Sequence, residues 1–268
     1  MNSELKGLQS RLLEMYDAFS KKMEEEALDV FLVGGTALGA IRHEGFIPWD
    51  DDMDVAMLRP DFERMEQWMA AHDNRLGEFV YLAAENDVHS EAPVGHLYDG
   101  RLVEEFGYAN VAQIDIHPLD GVPETSFKRK LQNYCSKGYY LFVYNHPTKN
   151  KGKWMRRVTK VVLGLTPAFL RRVYMRWFKG YITSWNPYES KHICSLFGEA
   201  GYQREIIPAD YVIPARRIAF EGREYKTFDQ VEKYLSQRYG DYMKLPPEDE
   251  RKPLHSACKA YSIEEKDV

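Results

Sequence analysis

A mixed α/β fold is predicted by three stretches of this 268-residue sequence. Asp29-Val30-Phe31-Leu32-Val33 is a short apolar run that stops at Gly34-Gly35-Thr36 and gives way to Ala37-Leu38-Gly39-Ala40-Ile41-Arg42, which has helical character. Asp50, Asp51, Asp52 and Asp54 run directly into Val55-Ala56-Met57, and Ala112-Gln113-Ile114-Asp115-Ile116 alternates as a half-buried strand. Strand, turn, helix and two further strands in that order describe a mixed sheet covered by helices, an α/β (α+β) core.

The elements follow in chain order. Residues 1–26 have Leu5, Leu8, Leu12, Met15, Phe19 and Met23 on one stripe, the pattern of an amphipathic helix facing a core and not of a secretion signal. The strand over 29–33 comes next and ends in the Gly-Gly turn. Glycines let a backbone come close to a ligand, and the first-turn N–H groups of a helix point at an anion, so Gly34, Gly35 and Thr36 are a candidate phosphate cradle. Arg42 and His43 close that helix and are further candidates for phosphate contact, with a purely structural role as the alternative for His43.

The acidic segment is the most telling feature. Like charges packed this closely repel, and something cationic has to offset them. On an extended strand Asp50, Asp52 and Asp54 share one face, a row of hard oxygen donors of the kind Mg²⁺ takes together with phosphate oxygens. The alternative is a solvated acidic turn; Trp49 and Val55-Ala56-Met57 favour the metal, since they put the cluster at the mouth of a core strand. Asp115, flanked by two isoleucines, needs a partner if buried, either a metal shared with the first cluster or a local turn at Asp120-Gly121.

A Gly-Gly turn followed about fifteen residues later by Asp-x-Asp is the pattern of a nucleotidyltransferase-type site, where glycines hold phosphates that metals bridge. Gly35 through Asp54 as a block resembles the signature of LicD-family phosphotransferases, bacterial enzymes that move phosphocholine from CDP-choline onto cell-surface glycans. Ile114-Asp115-Ile116-His117-Pro118-Leu119-Asp120-Gly121 is similar to that family's second motif, and Tyr239-Gly240-Asp241-Tyr242-Met243-Lys244-Leu245-Pro246-Pro247 to its C-terminal one. At position 117 the family more often has an aromatic, and His117 is assigned no role.

The resemblance implies a nucleotidyltransferase-type core and a Mg²⁺-dependent phosphotransferase with one or two ions, Mn²⁺ being the alternative ion. Asp50, Asp52, Asp54 and Asp115 would hold the metal, Asp52, Asp54 and Asp115 would act in catalysis, and Gly34, Gly35, Thr36, Arg42 and His43 would bind the nucleotide donor. It implies CDP-choline or a similar nucleotide as donor, an anionic or lipid-linked glycan precursor of teichoic acid or lipopolysaccharide type as acceptor, and CMP as product. Two rivals stand beside it: the same chemistry with a nucleotide-linked phospho-polyol or phospho-sugar, and a catalytically silent module that docks on an anionic surface. A quaternary ammonium asks for aromatic faces, and Trp49, Tyr98, Phe106, Tyr108, Tyr139, Tyr140 and Tyr144 are available.

Composition divides the chain. Residues 125–188 contain fourteen Lys or Arg and no Asp or Glu, whereas the remaining 204 residues carry 41 acids against 22 bases. Such asymmetry marks a surface for an anionic partner. Within it, Trp154, Val158, Val161, Val162 and Leu165 fall at helical spacing, with Lys151, Lys153, Arg156, Arg157 and Lys160 opposite. Thr166 and Pro167 then predict the cap and first turn of a second helix that carries Phe169, Leu170, Val173 and Trp177 beside Arg171, Arg172, Arg176 and Lys179. These two helices either lie on anionic lipid or pack their stripes on the core.

The expected organisation is therefore a catalytic core over 1–124, a basic helical insertion over 125–204, and a segment over 205–268 that returns to the core. In that segment a helix over 229–239 ends at Gly240. Cys135, Cys194 and Cys258 are odd in number and widely spaced, which predicts reduced thiols in a cytosol. No apolar run is long enough to span a bilayer, so the expected location is cytoplasmic with peripheral contact at the inner membrane face; nucleic acid is not expected as a partner.

Overall fold

Helix α1 (Ser3–Glu25) forms where the leucine stripe predicts it, and Leu5, Leu8, Leu12, Met15, Phe19 and Met23 are all buried. The structure, a computed structural model, describes residues 3–89, 93–147, 152–198, 200–253 and 260–261. After α1 come β1 (Phe31–Leu32), α2 (Gly34–His43), β2 (Met53–Leu58), α3 (Arg59–Ala71), β3 (Arg75–Leu76), β4 (Phe79–Leu82), β5 (Gly95–Asp99), α4 (Val103–Phe106) and β6 (Gln113–Gly121). The chain continues through α5 (Ser126–Tyr144), α6 (Gly152–Leu165), α7 (Ala168–Ile182), β7 (His192–Ser195), α8 (Tyr202–Glu205), β8 (Ile206–Pro208), β9 (Arg216–Phe220), β10 (Arg223–Thr227) and α9 (Val231–Tyr239).

The strands form one mixed sheet in the order β3-β4-β5-β6-β2-β1-β10-β9. β2 and β6 are parallel, as are β1 and β10; the other pairs are antiparallel. Met53, Val55, Ala56, Met57 and Leu58 are buried and so are Ile114, Ile116 and Leu119, which suits a parallel pair covered on both faces. β6 is long enough to pair with β5 through its first half and with β7 through its last three residues, and β8 extends the sheet beyond β7.

Two buried ion pairs tie the helices to the strands. Arg11 of α1 donates to both oxygens of Asp99 at the end of β5 (2.7 and 2.8 Å), and Arg59 at the start of α3 grips Asp120 of β6 through two 2.7 Å bonds. Paired forks of this kind satisfy charges that would otherwise be costly inside. Asp120 is thereby committed to α3 and forms no turn that Asp115 caps.

Within residues 125–204 the described chain forms α5, α6 and α7, the last ending at Ile182, and then returns β7 to the sheet. α7 packs on α5: the Phe142 ring stacks with Tyr174 and Phe178, and a Cβ at Gly138 would meet the Phe178 ring at 2.7 Å. Gln132 of α5, fully buried, donates to the carbonyls of Gly121 (2.9 Å) and Ile182 (3.2 Å). α7 begins at Ala168, one residue later than the sequence suggests. The Thr166 hydroxyl donates back to the Val162 carbonyl (2.7 Å) and closes α6 in place of capping α7.

The helix expected over 229–239 is α9, with Val231, Tyr234 and Leu235 buried and Gly240 at φ +73°. Cys135 and Cys194 are buried free thiols, whereas Cys258 lies outside the described residues. Among the described residues no helix is long and apolar enough to cross a membrane.

Candidate active site

Asp54 on β2 and Asp115 on β6 are register partners across the parallel pair, and Ala56 partners His117 one step further along. Alternation turns Asp115 and His117 to the same face, and at its own level His117 meets only a small side chain. His117 Nε2 lies 3.1 Å from Asp54 Oδ1, and one donor atom from each of Asp54, Asp115 and His117 falls within 4.8 Å of the others. Asp115 also accepts from Gln113 Nε2 (3.1 Å). From β5, fully buried His96 places Nε2 at 3.6 Å from Asp115 and Nδ1 at 2.9 Å from Asp87, and Asp87 accepts from the Tyr98 hydroxyl at 2.6 Å.

The N-terminus of α2 is aimed at Asp54. Gly34 has φ +56°, and a Cβ there would stand 2.5 Å from Asp54 Oδ2, so both the turn and the close approach require glycine. The Gly34 N–H donates to the Tyr234 hydroxyl (3.1 Å), the Gly35 N–H donates to the Asp54 carboxylate, and the Thr36 hydroxyl accepts from the Asp54 backbone N–H (2.8 Å). Gly35 leaves room for Asp50, whose Oδ2 would be 3.3 Å from a Cβ at that position. At the other end of α2, Arg42 donates to His43 Nε2 (2.9 Å) and to the Tyr242 carbonyl (3.0 Å), which attaches the C-terminal motif to this helix. Burial lowers both Arg42 and His43; Asp50 works against that for Arg42, and the Arg42 charge adds to it for His43.

The row of Asp50, Asp52 and Asp54 on one strand face does not form, because β2 starts at Met53. Gln9 of α1 donates to the carbonyls of Ile47 (3.3 Å) and Asp50 (2.8 Å), and the Asp50 N–H bonds the Ile47 carbonyl (2.9 Å), so a turn over Pro48-Trp49 delivers the aspartates. Asp51 is buried and Asp52 half-buried in that lead-in. Asp52 still lies in the field of the group: burial first, then Asp54, Asp50, Asp115 and Asp51, push its carboxyl up to about 9. Asp54 goes the other way. Burial opposes its charge, but the bond and charge of His117, then Arg238 and the Gly35 N–H, outweigh burial and hold it below the usual carboxylate range. His117 is raised in turn, with Asp54 outweighing burial.

A small cleft opens beside Asp54, lined by Gly34, His117, Tyr234, Glu205 and Arg238 among others. Arg238 is ion-paired with buried Glu205 and donates to the Tyr239 hydroxyl (3.1 Å), and its charge acts on Asp54 from the cleft side. On the Asp115 side, the Tyr108 ring stacks with His89 (4.6 Å) and meets Tyr98 edge-on (4.9 Å). Two carboxylates and an imidazole within one ion's reach, with a third carboxyl repelled by its neighbours, are a donor set that fits a divalent cation. Carboxylates suit Mg²⁺ and Mn²⁺, and the imidazole leans toward Mn²⁺.

His117, His96, Asp87, Tyr234, Arg238 and Glu205 join the site without having been expected there. Only His117 carried a signal: it follows Asp115 by two, the strand period that puts both on one face. The others reach the site from β5 and the segment before it, from α8 and from α9, which residue spacing does not encode.

Residues 27–139 match the family model described as LicD/FKTN/FKRP, nucleotidyltransferase domain. The chain is 28% identical over 253 residues to the lipopolysaccharide cholinephosphotransferase LicD of Haemophilus influenzae, covering 91% of this chain and 92% of that protein. It is also 27% identical over 88 residues, a third of each chain, to the uncharacterized protein RP689 of Rickettsia prowazekii.

Proposed function

We propose that the chain, which matches the LicD/FKTN/FKRP family model over residues 27–139 and is similar over nearly its whole length to a LicD cholinephosphotransferase, is a LicD-family enzyme that transfers phosphocholine from CDP-choline to a hydroxyl of a cell-surface glycan precursor, of lipopolysaccharide or teichoic acid type, releasing CMP. The observation that carries this reading is the Asp54–Asp115–His117 group above the α2 N-terminus, in a chain similar over nearly its whole length to a cholinephosphotransferase.

Asp54, Asp115 and His117 would hold a divalent cation, with Asp52 and Asp50 from the lead-in as donors for a second. When bound, such an ion neutralises charge on the pyrophosphate and on the leaving phosphate. Asp54, bonded by His117 and the Gly35 N–H, is a weak base and serves as a fixed anionic ligand. Asp115 accepts the proton of the attacking hydroxyl. The hydroxyl oxygen bonds to the choline-bearing phosphorus as the bond from that phosphorus to the bridging oxygen breaks, and CMP departs with that electron pair. Gly34, Gly35 and Thr36 with Arg238 line the side of the site where the donor phosphates lie, and Arg42, which also donates to His43, holds the C-terminal motif against α2. The lipid-linked acceptor places the reaction in the cytoplasm at the inner membrane face.

The test is CMP release from CDP-choline with a glycan acceptor, after chelation and with Mg²⁺ or Mn²⁺ restored. Release that depends on both acceptor and metal is the expected result; release unaffected by thorough chelation would remove the metal from the reaction. No CDP-choline binding by a folded chain would leave the silent-module reading.

A further inference from the structure

The α6–α7 hairpin turns its apolar stripes outward. α6 meets the rest of the protein through Thr159 and Leu163, one turn apart, and these are its only buried residues. Arg171 clamps the hairpin, donating to the Thr166 carbonyl (2.7 Å) and to the Leu163 carbonyl. With the contact face so occupied, Trp154 (71% exposed) and Leu165 (79%) of α6 lie open to solvent, as do Phe169 (60%) and Trp177 (56%) of α7. The core-packing alternative for these stripes fails: the helices pack through other residues.

We propose that this hairpin is a docking surface for an anionic lipid bilayer, with Trp154, Leu165, Phe169 and Trp177 entering the headgroup boundary and the basic side chains lying over lipid phosphates. Charge identifies the occupant. Lys153, Arg156, Arg157 and Lys160 on α6 and Arg172 and Arg176 on α7 are exposed, within a 64-residue stretch that has no Asp or Glu. A second copy of the chain would bring the same positive face and repel it. A nucleic acid would satisfy the charge, but Leu165, Val161 and Val173, all exposed, offer nothing to a phosphate backbone. Apolar side chains rimmed by Lys and Arg on helices too polar to span are what an in-plane, interfacial helix needs. Lys151, expected on the same basic face, lies outside the described residues.

This surface deepens the placement at a lipid-linked acceptor and rests on that reading for its purpose, but its test measures binding alone. The full-length chain is floated with phosphatidylglycerol-containing vesicles and with pure phosphatidylcholine vesicles, at low and high salt. Preferential, salt-weakened binding to the anionic vesicles is expected. Two variants, Trp154→Ser/Leu165→Ser/Phe169→Ser/Trp177→Ser and Lys153→Glu/Arg156→Glu/Arg157→Glu, should each partition at least about tenfold more weakly. Both alter exposed side chains, so unchanged melting curves and CMP release with a water-soluble acceptor are expected. Equal partition of wild type and the apolar variant overturns the proposal, as does equal binding to neutral and anionic vesicles. A wild type that ignores vesicles and instead binds DNA, or dimerises through this face, overturns it too. Loss of turnover in a variant that still floats would strike at the transfer reading and leave the docking surface standing.

Discussion

Asp54 and Asp115 face each other across β2 and β6 as partners in a parallel register, and His117, one step beyond, is bonded back to Asp54 at 3.1 Å. Two strands separated by about sixty residues of chain thus converge on one point, and of the acidic run it is Asp54 that the convergence brings against Asp115 and His117. Asp54 leads because it is the aspartate on the strand itself.

Asp54→Asn removes charge and almost no volume, so the fold should persist while turnover falls by at least about a hundredfold, a modest share of what metal and phosphate clamping supplies. Calorimetric Mn²⁺ binding should weaken in parallel. Asp52→Asn, which acts from the lead-in, should cost less than Asp54→Asn. Near-normal turnover by folded Asp54→Asn would end the assignment.

Gly34→Ala tests the approach of α2 to that carboxylate. Its Cβ would fall 2.5 Å from Asp54 Oδ2 in a left-handed conformation, whereas at Gly35 the nearest atom is Asp50 Oδ2 at 3.3 Å. The conformation alone costs about 1–2 kcal/mol. Gly34→Ala should therefore lower the melting temperature by several degrees and lower turnover, and Gly35→Ala should disturb both less. Thermal melts and CMP release measure the two; equal effects would mean the close contact with Asp54 does not matter.

Much of this was legible in the sequence because it is local. The leucine stripe of α1, the Gly34 turn into α2, the alternation around Asp115 and the stop of α9 at Gly240 all follow from periods of 3.6 or 2 and from glycine's freedom. The acidic run was read one step too regularly. Nothing in its own residues shows that Gln9, some forty positions earlier, holds the Ile47 and Asp50 carbonyls and delays the strand to Met53. The sequence left open whether the α6 stripe faces lipid or core, since Thr159 and Leu163 make a contact face that apolar counting ranks below the Trp154 stripe. Pairing across the sheet decides the rest, including His96 beside Asp115.

Asp87 gives a stability signature at acid pH. Burial works against its charge, but His96, the Tyr98 hydroxyl (2.6 Å) and the His89 N–H (2.8 Å) outweigh it and bring the carboxyl down to about 2. A carboxyl held below its unfolded value, about 3.9, contributes stability that is complete above that value and is lost as pH falls through it toward 2. Wild type should therefore lose up to about 2 kcal/mol from this one group between roughly pH 5 and 2. Asp87→Asn should be less stable near neutrality and show a shallower acid slope. Chemical denaturation across that range decides it, and identical slopes for the two proteins would show that Asp87 carries no such linkage.

Donor choice separates the leading function from its nearest rival, and it turns on what the head group asks of the protein. A quaternary ammonium donates no hydrogen bonds and is held by aromatic faces and diffuse negative potential, whereas ribitol or glycerol needs directional partners. The half-buried Tyr108 ring, against His89 and against Tyr98, two residues along β5 from the His96 that faces Asp115, supplies aromatic surface and the aspartates supply negative potential. CDP-choline should therefore be turned over better than CDP-ribitol or CDP-glycerol by roughly ten- to two-hundredfold in kcat/KM, since an apolar pocket discriminates only modestly. Tyr108→Ala should erode that preference chiefly through the KM for CDP-choline, leaving the metal dependence unchanged. CMP release with each donor and a common acceptor measures both effects. A clear preference for a polyol donor would transfer the chain to the rival reading with the metal site intact, and a Tyr108→Ala protein with undiminished choline preference would move the head-group site away from Tyr108.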